Sequence, residues 1–174
     1  SNVPKFDGKT LVVLDTSGSM SGQPAEIGSV FAAILIKSND ADFITFSDYA
    51  KYQTLNPMDS TLSIAQSINF ISGGTNFDAI FDEANKKYDR VIILSDMQGW
   101  MGGNTPVASF NRYKVLTGAN PKIYSFDLAG YGTMQFPENN VYCLAGFSDK
   151  VFDIMKVLET DKNILLKTID GIEL

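Results

Sequence analysis

The sequence has no histidine, and only one cysteine and one tryptophan among its 174 residues. Histidine is the commonest general base and the commonest metal ligand, so neither a Ser/His nor a Cys/His nucleophilic site can be assembled from this chain. We therefore expect a protein that is not an enzyme. The lone cysteine, Cys143, has no partner for an intramolecular disulfide, which favours a reducing, cytoplasmic setting. Its apolar neighbours predict a buried thiol.

Positive charge and long apolar runs are also scarce. The chain has 14 Lys and Arg against 20 Asp and Glu, which argues against a broad nucleic-acid surface because such surfaces depend on Lys and Arg. No apolar run approaches the length of a bilayer span, so we expect no membrane attachment. A hydrophobic fraction of 44% is typical of a folded domain. We expect one domain over residues 1–174, with Ser1-Asn2 interpreted as a remnant of an expression tag.

Apolar segments of two kinds alternate along the chain. Leu11–Leu14 and Val91–Leu94 are continuous apolar runs, typical of parallel strands that are buried on both faces. After the first run comes a predicted helix, whose core-facing stripe is Ile27, Val30, Phe31, Ile34 and Leu35. The other predicted strands are 42–46, 49–54, 122–126 and 141–144, and the other predicted helices are 62–70, 77–88, 106–116 and 149–158. Residues 160–174 are predicted to form a tail or a short strand.

This alternation predicts a doubly wound, Rossmann-like α/β fold with helices on both faces of a mainly parallel central sheet. The two adjacent strands 42–46 and 49–54 are separated only by a short turn at Ser47-Asp48, which predicts one antiparallel edge strand.

Polar side chains follow two of the buried strands. Asp15-Thr16-Ser17-Gly18-Ser19 comes directly after Leu11–Leu14, and Asp96 follows the strand Val91–Leu94. The glycine-rich segment Gly73-Gly74-Thr75 is placed to reach the same edge of the sheet, where open α/β sheets bind their ligands. Hard carboxylate and hydroxyl oxygens suit Mg²⁺, or Mn²⁺ or Ca²⁺, better than Zn²⁺. The sequence therefore predicts a divalent-cation site.

Each of these residues also has an ordinary structural explanation. Ser17 and Ser19 are able to form a turn and cap the following helix, and Thr75 with Asp78 matches a capping box. Asp96 is an acceptable first residue of a loop. None of these explanations accounts for all five residues at one edge of the sheet, and we therefore favour the metal site.

The order Asp-x-Ser-x-Ser, then threonine, then aspartate after a later strand resembles the von Willebrand factor A (vWA) family and its metal-ion-dependent adhesion site. The segments Thr45-Phe46-Ser47-Asp48, Gly73-Gly74-Thr75-Asn76, Leu94-Ser95-Asp96 and Ala145-Gly146-Phe147-Ser148 are similar to the vWA half of the Ro ribonucleoprotein (TROVE) family. The resemblance implies a vWA fold and an ion held by Asp15, Ser17, Ser19, Thr75 and Asp96. The ring of helical repeats through which that family binds RNA is absent from this chain.

A cation with few direct carboxylate ligands keeps an open position for an oxygen from outside the protein. We expect an Asp or Glu side chain of a partner protein to fill it, with Trp100 and Tyr131 as candidate contacts at the rim. The alternative is a Ro-type ribonucleoprotein component whose metal site binds an RNA phosphate or supports an RNA-binding assembly. The only tight basic cluster, Lys86-Lys87 with Arg90, is predicted at the opposite edge of the sheet, so this domain alone is not expected to bind nucleic acid. A third possibility, a metal-dependent hydrolase, is disfavoured because the sequence contains no recognisable general base.

Overall fold

The structure is a computed structural model that describes residues 5–70, 72–96, 107–128, 134–136 and 141–145. The strands are β1 (Thr10–Asp15), β2 (Ala41–Phe46), β3 (Ala50–Gln53), β4 (Arg90–Ser95), β5 (Lys122–Asp127), β6 (Met134–Phe136) and β7 (Val141–Ala145). The helices are α1 (Gln23–Ser38), α2 (Thr61–Ser67), α3 (Asp78–Glu83) and α4 (Val107–Thr117). All the strands belong to one sheet with the order β3-β2-β1-β4-β5-β7-β6.

The sheet is parallel through its centre and antiparallel at its edges. Strand β1 pairs in parallel with β2 and β4, and β5 pairs in parallel with β4 and β7. The predicted hairpin is confirmed, because β3 pairs antiparallel with β2. At the other edge, β6 pairs antiparallel with β7 and adds a second antiparallel edge strand. The sequence did not predict β6, since three residues are too short for an alternating pattern to be recognised.

Helices cover both faces of the sheet, as predicted. Alternate side chains of β1 point to opposite faces, so Val12 and Leu14 join the core under α1, whereas Leu11 and Val13 join the core under α3 and α4. All four of these side chains are fully buried. On the α1 face, Phe31 meets Phe126 of β5 edge to face with ring centroids 5.0 Å apart, an arrangement that aromatic pairs favour. Burial on both faces explains why the strand reads as a continuous apolar run.

The predicted core-facing stripe of α1 is partly wrong. Phe31 and Leu35 are buried, but Val30 is 38% exposed, and Ile27 and Ile34 are only half-buried. The helix instead brings small residues against the sheet: a Cβ atom on Gly28 would lie 2.8 Å from Leu14 Cδ1. A search for large apolar side chains at helical spacing overlooks a face on which small residues permit close approach.

Two other helices end earlier than predicted. Helix α2 ends at Ser67 rather than Phe70, and α3 ends at Glu83 rather than Tyr88. Beyond the end of α3, Tyr88 is buried and its hydroxyl donates a 2.7 Å hydrogen bond to Asp42 at the start of β2. Helix α4 and strands β4 and β5 lie where the sequence predicted them.

Some predictions concern other parts of the chain. The helix at 149–158 and the tail or strand at 160–174 lie outside the described residues, and so does the side chain of Cys143, whose backbone lies in β7. Within the described ranges, no helix combines the length and the apolar character required to cross a bilayer.

Candidate metal-binding site

The strand order creates a crevice at the carboxyl ends of β1 and β4. From β1 the chain moves outward to β2 and β3, and it then returns to place β4 on the other side of β1. Neighbouring parallel strands whose connections run in opposite directions leave an opening at their carboxyl ends, which is where open α/β sheets bind ligands. Asp15 ends β1, and Ser95 ends β4 with Asp96 directly after it. The topology therefore brings two of the predicted segments to one place.

Asp15 lies at the base of this crevice and is fully buried. Its Oδ1 accepts a 2.8 Å hydrogen bond from the Ser17 amide, and its Oδ2 accepts a 2.7 Å hydrogen bond from the Ser95 hydroxyl. Burial raises the pKa of Asp15 above its ordinary value; the bonds from Ser17 and Ser95 oppose the shift, and the charge of Asp96 adds to it. Asp15 is thus a buried carboxylate held in place by neutral donors.

The other oxygens form a chain above Asp15. The hydroxyls of Ser17 and Ser19 lie 3.2 Å apart, and the Ser19 hydroxyl donates a 3.1 Å hydrogen bond to Asp96 Oδ1. A single turn of 3-10 helix, Gly18–Met20, turns the two serines toward each other. Ser17 is 2% exposed, whereas Ser19 faces solvent and Asp96 is half-buried. The oxygens therefore run from the buried floor of the crevice to its open mouth.

Thr75 belongs to a segment that docks beside these serines, which we call the threonine loop (residues 72–76). The Ser72 amide donates to the Thr16 carbonyl at 3.2 Å, and the Gly73 carbonyl accepts from the Gly18 amide at 3.2 Å. The half-buried Thr75 side chain makes no hydrogen bond to another described residue. The structure thus attaches the threonine loop to the Asp15–Ser19 segment through its backbone.

The capping explanations for these residues are wrong. Ser17 precedes the 3-10 turn but makes no side-chain capping bond, and α1 begins after Gly22. Helix α3 is preceded by Phe77, also without a side-chain cap, so Thr75 and Asp78 do not form a capping box. Asp78 accepts a hydrogen bond from the Ser109 hydroxyl instead, at 2.9 Å.

Two residues that support the site were not identified from the sequence. Ser95 was noted only as the residue before Asp96, yet its hydroxyl binds Asp15. Asp48 was noted as a turn residue and as the end of a segment that carries the family resemblance, but was given no role in the site, yet its Oδ1 accepts a 3.0 Å hydrogen bond from the Gly74 amide. A polar residue in the last position of a buried apolar strand was the available indication for Ser95, because such a side chain needs a partner. Nothing local to Asp48 indicated its contact with residues 26 positions away.

The remaining predicted residues lie elsewhere. Trp100 and Tyr131, the candidate rim contacts, are outside the described residues. Arg90 begins β4 and so lies at the amino edge of the sheet, opposite the crevice, as predicted for the basic cluster. It is 3% exposed and donates hydrogen bonds to the Thr10 hydroxyl and the Asp7 carbonyl. The Arg90 guanidinium therefore stabilises the amino edge of the sheet and does not face solvent.

The candidate site differs from a carboxylate-rich or histidine-rich metal centre. Within the parts of the chain that the structure describes, three or more His, Cys, Asp or Glu side chains nowhere come together in a metal-binding arrangement. The crevice supplies two carboxylates, Asp15 and Asp96, and its other side-chain oxygens are hydroxyls. Such a set favours a hard cation, whose charge the two carboxylates formally balance.

Solved structures with a similar fold include the Ro (RSR) protein of Deinococcus radiodurans, at 19% identity and a TM-score of 0.67 over 88% of this chain. Proximal thread matrix protein 1 from the mussel byssus matches 87% of the chain at 18% identity, with a TM-score of 0.56. An aerotolerance-related membrane protein from Bacteroides fragilis matches 90% of the chain at 15% identity, with a TM-score of 0.50.

These likenesses show a vWA-like fold. The chain spans 34% of the length of the Ro protein, 44% of the mussel protein and 98% of the Bacteroides protein. No protein-family model and no curated protein sequence matches the chain.

Proposed function

We propose that this domain is a divalent-cation-dependent protein-binding module. Asp15, Ser17, Ser19, Thr75 and Asp96 hold Mg²⁺, or Mn²⁺ or Ca²⁺, and an acidic side chain of a partner completes the coordination. The observation that carries the proposal is the chain of contacts between the Ser17, Ser19 and Asp96 side-chain oxygens, which leads from the floor of the crevice to its mouth. In this proposal the domain acts by binding rather than catalysis.

The spacing of these oxygens supports a small cation. Ligands about 2.1 Å from Mg²⁺ at right angles to one another are separated by about 3 Å. The Ser17–Ser19 and Ser19–Asp96 oxygen pairs are 3.2 Å and 3.1 Å apart. Hydroxyls that hydrogen-bond to one another at this spacing need only rotate their protons outward to present lone pairs to an ion.

The burial of Asp15 supports a cation as well. A fully buried carboxylate is costly unless a positive charge or several donors compensate it. Asp15 has neutral donors, from Ser17 and Ser95, but no ion-pair partner among the described residues. A bound divalent cation would supply the missing positive charge and favour the ionised form of Asp15.

The open mouth of the crevice leaves room for an acidic partner. Two carboxylates formally balance a divalent cation and the hydroxyls are neutral, so a hard cation can take a further oxygen ligand at the exposed mouth beside Ser19. A carboxylate from outside would add both an oxygen ligand and attraction to the ion. We further propose a cytoplasmic location, on the basis of the single cysteine.

The Ro-type alternative, an RNA phosphate on the metal, lacks a supporting observation. The likeness to the Ro (RSR) protein concerns the fold alone. Phosphate recognition needs basic residues around the ion, but Arg90 of the predicted basic cluster is buried at the amino edge. Lys86, also of that cluster, pairs with Asp42 near the start of β2.

The open coordination position can be tested with acetate as a carboxylate probe. Mn²⁺ is paramagnetic and broadens the methyl proton resonance of any acetate that ligates it or lies against it. We expect Mn²⁺ with the wild-type protein to broaden the acetate resonance more than the same concentration of free Mn²⁺. The matched control is the Ser17→Ala/Ser19→Ala variant, which retains both carboxylates but loses two ligands, and whose fold is checked by thermal unfolding.

Enhanced broadening in the wild type that disappears in the control variant supports a metal with an accessible carboxylate position. Equal broadening for wild type, variant and free Mn²⁺ would contradict the proposal. The same experiment is run in parallel with inorganic phosphate, whose ³¹P resonance is observed. Stronger broadening of phosphate than of acetate would favour a phosphate ligand, as in the Ro-type alternative.

A further inference from the structure

We infer that Asp48 is a positioning residue of the candidate metal site: its carboxylate fixes the threonine loop, and through it Thr75, without touching the ion. Asp48 lies in the β2–β3 turn (residues 47–49), next to the crevice but outside the set of five predicted ligands. The inference rests on the proposed function, since Thr75 matters here as a ligand.

The threonine loop is held from two sides. On the side of β1, its contacts are backbone to backbone, from the Ser72 amide to the Thr16 carbonyl and from the Gly18 amide to the Gly73 carbonyl. On the other side lies the β2–β3 turn, where the Asp48 carboxylate accepts from the Gly74 amide at 3.0 Å. A charged acceptor makes a stronger hydrogen bond than a neutral one.

The β2–β3 turn also contacts the end of the threonine loop through backbone groups. The Asn76 amide donates to the Ser47 carbonyl at 2.8 Å, and the Asn76 side chain donates to the Asp48 carbonyl at 3.3 Å. Thr75 therefore lies between two residues, Gly74 and Asn76, that are each fixed to this turn. Among these contacts, only the bond to the Gly74 amide is made by the side chain of Asp48. A substitution at Asp48 therefore removes this bond and leaves the backbone contacts in place.

The packing of the two glycines shows how closely the loop fits this carboxylate. A Cβ atom on Gly73 would lie 2.7 Å from Asp48 Oδ2, and a Cβ atom on Gly74 would lie 2.6 Å from Oδ1. Gly73 also has a left-handed backbone with a φ of +103°, whereas Gly74 does not have a positive φ. A side chain at Gly74 would thus meet the Asp48 carboxylate, which would have to shift and release the Gly74 amide, whereas the backbone conformation of Gly74 itself is no obstacle.

This difference provides a double-mutant test. We expect Asp48→Ala to weaken Mn²⁺ binding by about tenfold, the usual scale for loss of a residue that supports a metal ligand. Gly74→Ala should weaken binding in the wild-type background, because the new methyl group displaces the loop. In the Asp48→Ala background the same change should have little further effect, since the space is then open. Non-additivity of this kind identifies residues that act through one contact.

Two further variants separate position from charge. Asp48→Asn keeps an oxygen acceptor for the Gly74 amide, and we expect its Mn²⁺ affinity to stay within about threefold of the wild type by the same scale. Asp59→Ala removes an equal charge from an exposed residue before α2, and its binding should match the wild type. Thermal unfolding of each variant establishes that it is folded.

A measurement without metal keeps the inference separate from the proposed function. The Gly74 amide should exchange with solvent faster in Asp48→Ala than in Asp48→Asn or the wild type, as observed by NMR of the metal-free protein. Faster exchange with weaker binding supports the inference. Unchanged exchange, or wild-type Mn²⁺ affinity in a folded Asp48→Ala variant, overturns it. If the wild type itself does not bind Mn²⁺, the proposed function fails, and the exchange result alone decides whether Asp48 holds the loop.

Discussion

The Ser95 hydroxyl donates a 2.7 Å hydrogen bond to Oδ2 of the buried Asp15 carboxylate, joining the ends of two neighbouring strands across 80 residues of sequence. The bond orients the carboxylate whose other oxygen is occupied by the Ser17 amide. Ser95 therefore connects the stability of the sheet to the geometry of the candidate metal site.

Replacing Ser95 tests this connection. Ser95→Ala leaves an acceptor of Asp15 without its donor, and we expect a loss of about 1–3 kcal/mol in the free energy of unfolding. Urea denaturation measures the stability, and a Mn²⁺ titration should show several-fold weaker binding. Ser125→Ala is the matched control, because Ser125 is also buried but lies within β5, away from the carboxyl edge. Equal effects of the two variants on Mn²⁺ affinity would contradict the role assigned to Ser95.

The raised pKa of Asp15 predicts a conflict between stability and metal binding. Because the pKa of Asp15 is higher in the folded than in the unfolded protein, its protonated form contributes to stability. This contribution is fully present below the ordinary carboxyl pKa of about 4 and is lost as the pH rises through the folded pKa. In the absence of metal, Asp15→Asn should therefore be more stable than the wild type at pH 7, and this advantage should shrink toward pH 4. The Ser95 hydroxyl is able to reverse and accept from the new amide.

Denaturation in EDTA across this pH range measures the difference between the two proteins. Added Mg²⁺ should stabilise the wild type alone, because a ligand that binds only the folded state raises its stability. An Asp15→Asn variant that is less stable than the wild type at pH 7 and unaffected by lowering the pH would contradict the prediction.

Asp42, at the opposite edge of the sheet, should affect stability with a pH dependence opposite to that of Asp15. Burial of Asp42 opposes its ionisation, but the 2.7 Å hydrogen bond from Tyr88 and the charges of Lys86 and Lys9 outweigh it and hold the pKa of Asp42 below its usual value. The stability due to this carboxylate is present above the unfolded pKa and is lost as pH falls through the lower folded pKa. Tyr88→Phe should cost about 2 kcal/mol at pH 7, and less once Asp42 is protonated.

Acid and urea denaturation of wild type and Tyr88→Phe at pH 7 and at pH 2.5 check this. Because Asp42 lies at the amino edge, the same variant should bind Mn²⁺ with wild-type affinity. A constant stability difference across the pH range would mean that the Tyr88–Asp42 bond does not depend on the ionised carboxylate.

Helix α1 should not tolerate a side chain at its closest approach to the sheet. Alanine is favoured over glycine in a helix by about 1 kcal/mol, yet a Cβ atom on Gly28 would meet Leu14 at 2.8 Å and Leu128 at 3.1 Å. Gly28→Ala should therefore destabilise the protein, by about 1–3 kcal/mol, as overpacking does. A stabilised variant in urea denaturation would show that α1 moves away from β1 at little cost.

Much of this fold could be predicted because parallel strands buried on both faces leave a clear pattern. Leu11–Leu14 and Val91–Leu94 are apolar throughout, and each is followed by an acid, so both the sheet and the convergence of Asp15 and Asp96 were accessible from the sequence. Convergence of Ser17, Ser19 and Asp96 followed from the same reasoning. The metal that this cluster holds stays a prediction.

The rest could not be predicted because it depends on contacts between distant segments. Gly28 has no side chain and so escapes a search for apolar residues at helical spacing, although this lack is what lets α1 lie against Leu14. Tyr88, which follows α3, is joined to Asp42, 46 residues earlier, by a hydrogen bond that no local pattern indicates. Asp48 resembles any other turn residue until the threonine loop is seen to pack on it.

The most direct test of the central claim is a calorimetric titration of Mg²⁺ and Mn²⁺ into the wild-type protein and into Ser17→Ala/Ser19→Ala, in the presence of acetate to supply the external oxygen. The account predicts saturable binding to a single site in the wild type and its loss in a variant that unfolds at the same temperature. Absence of saturable binding in both proteins, or equal binding in both, would contradict a metal site formed by these residues.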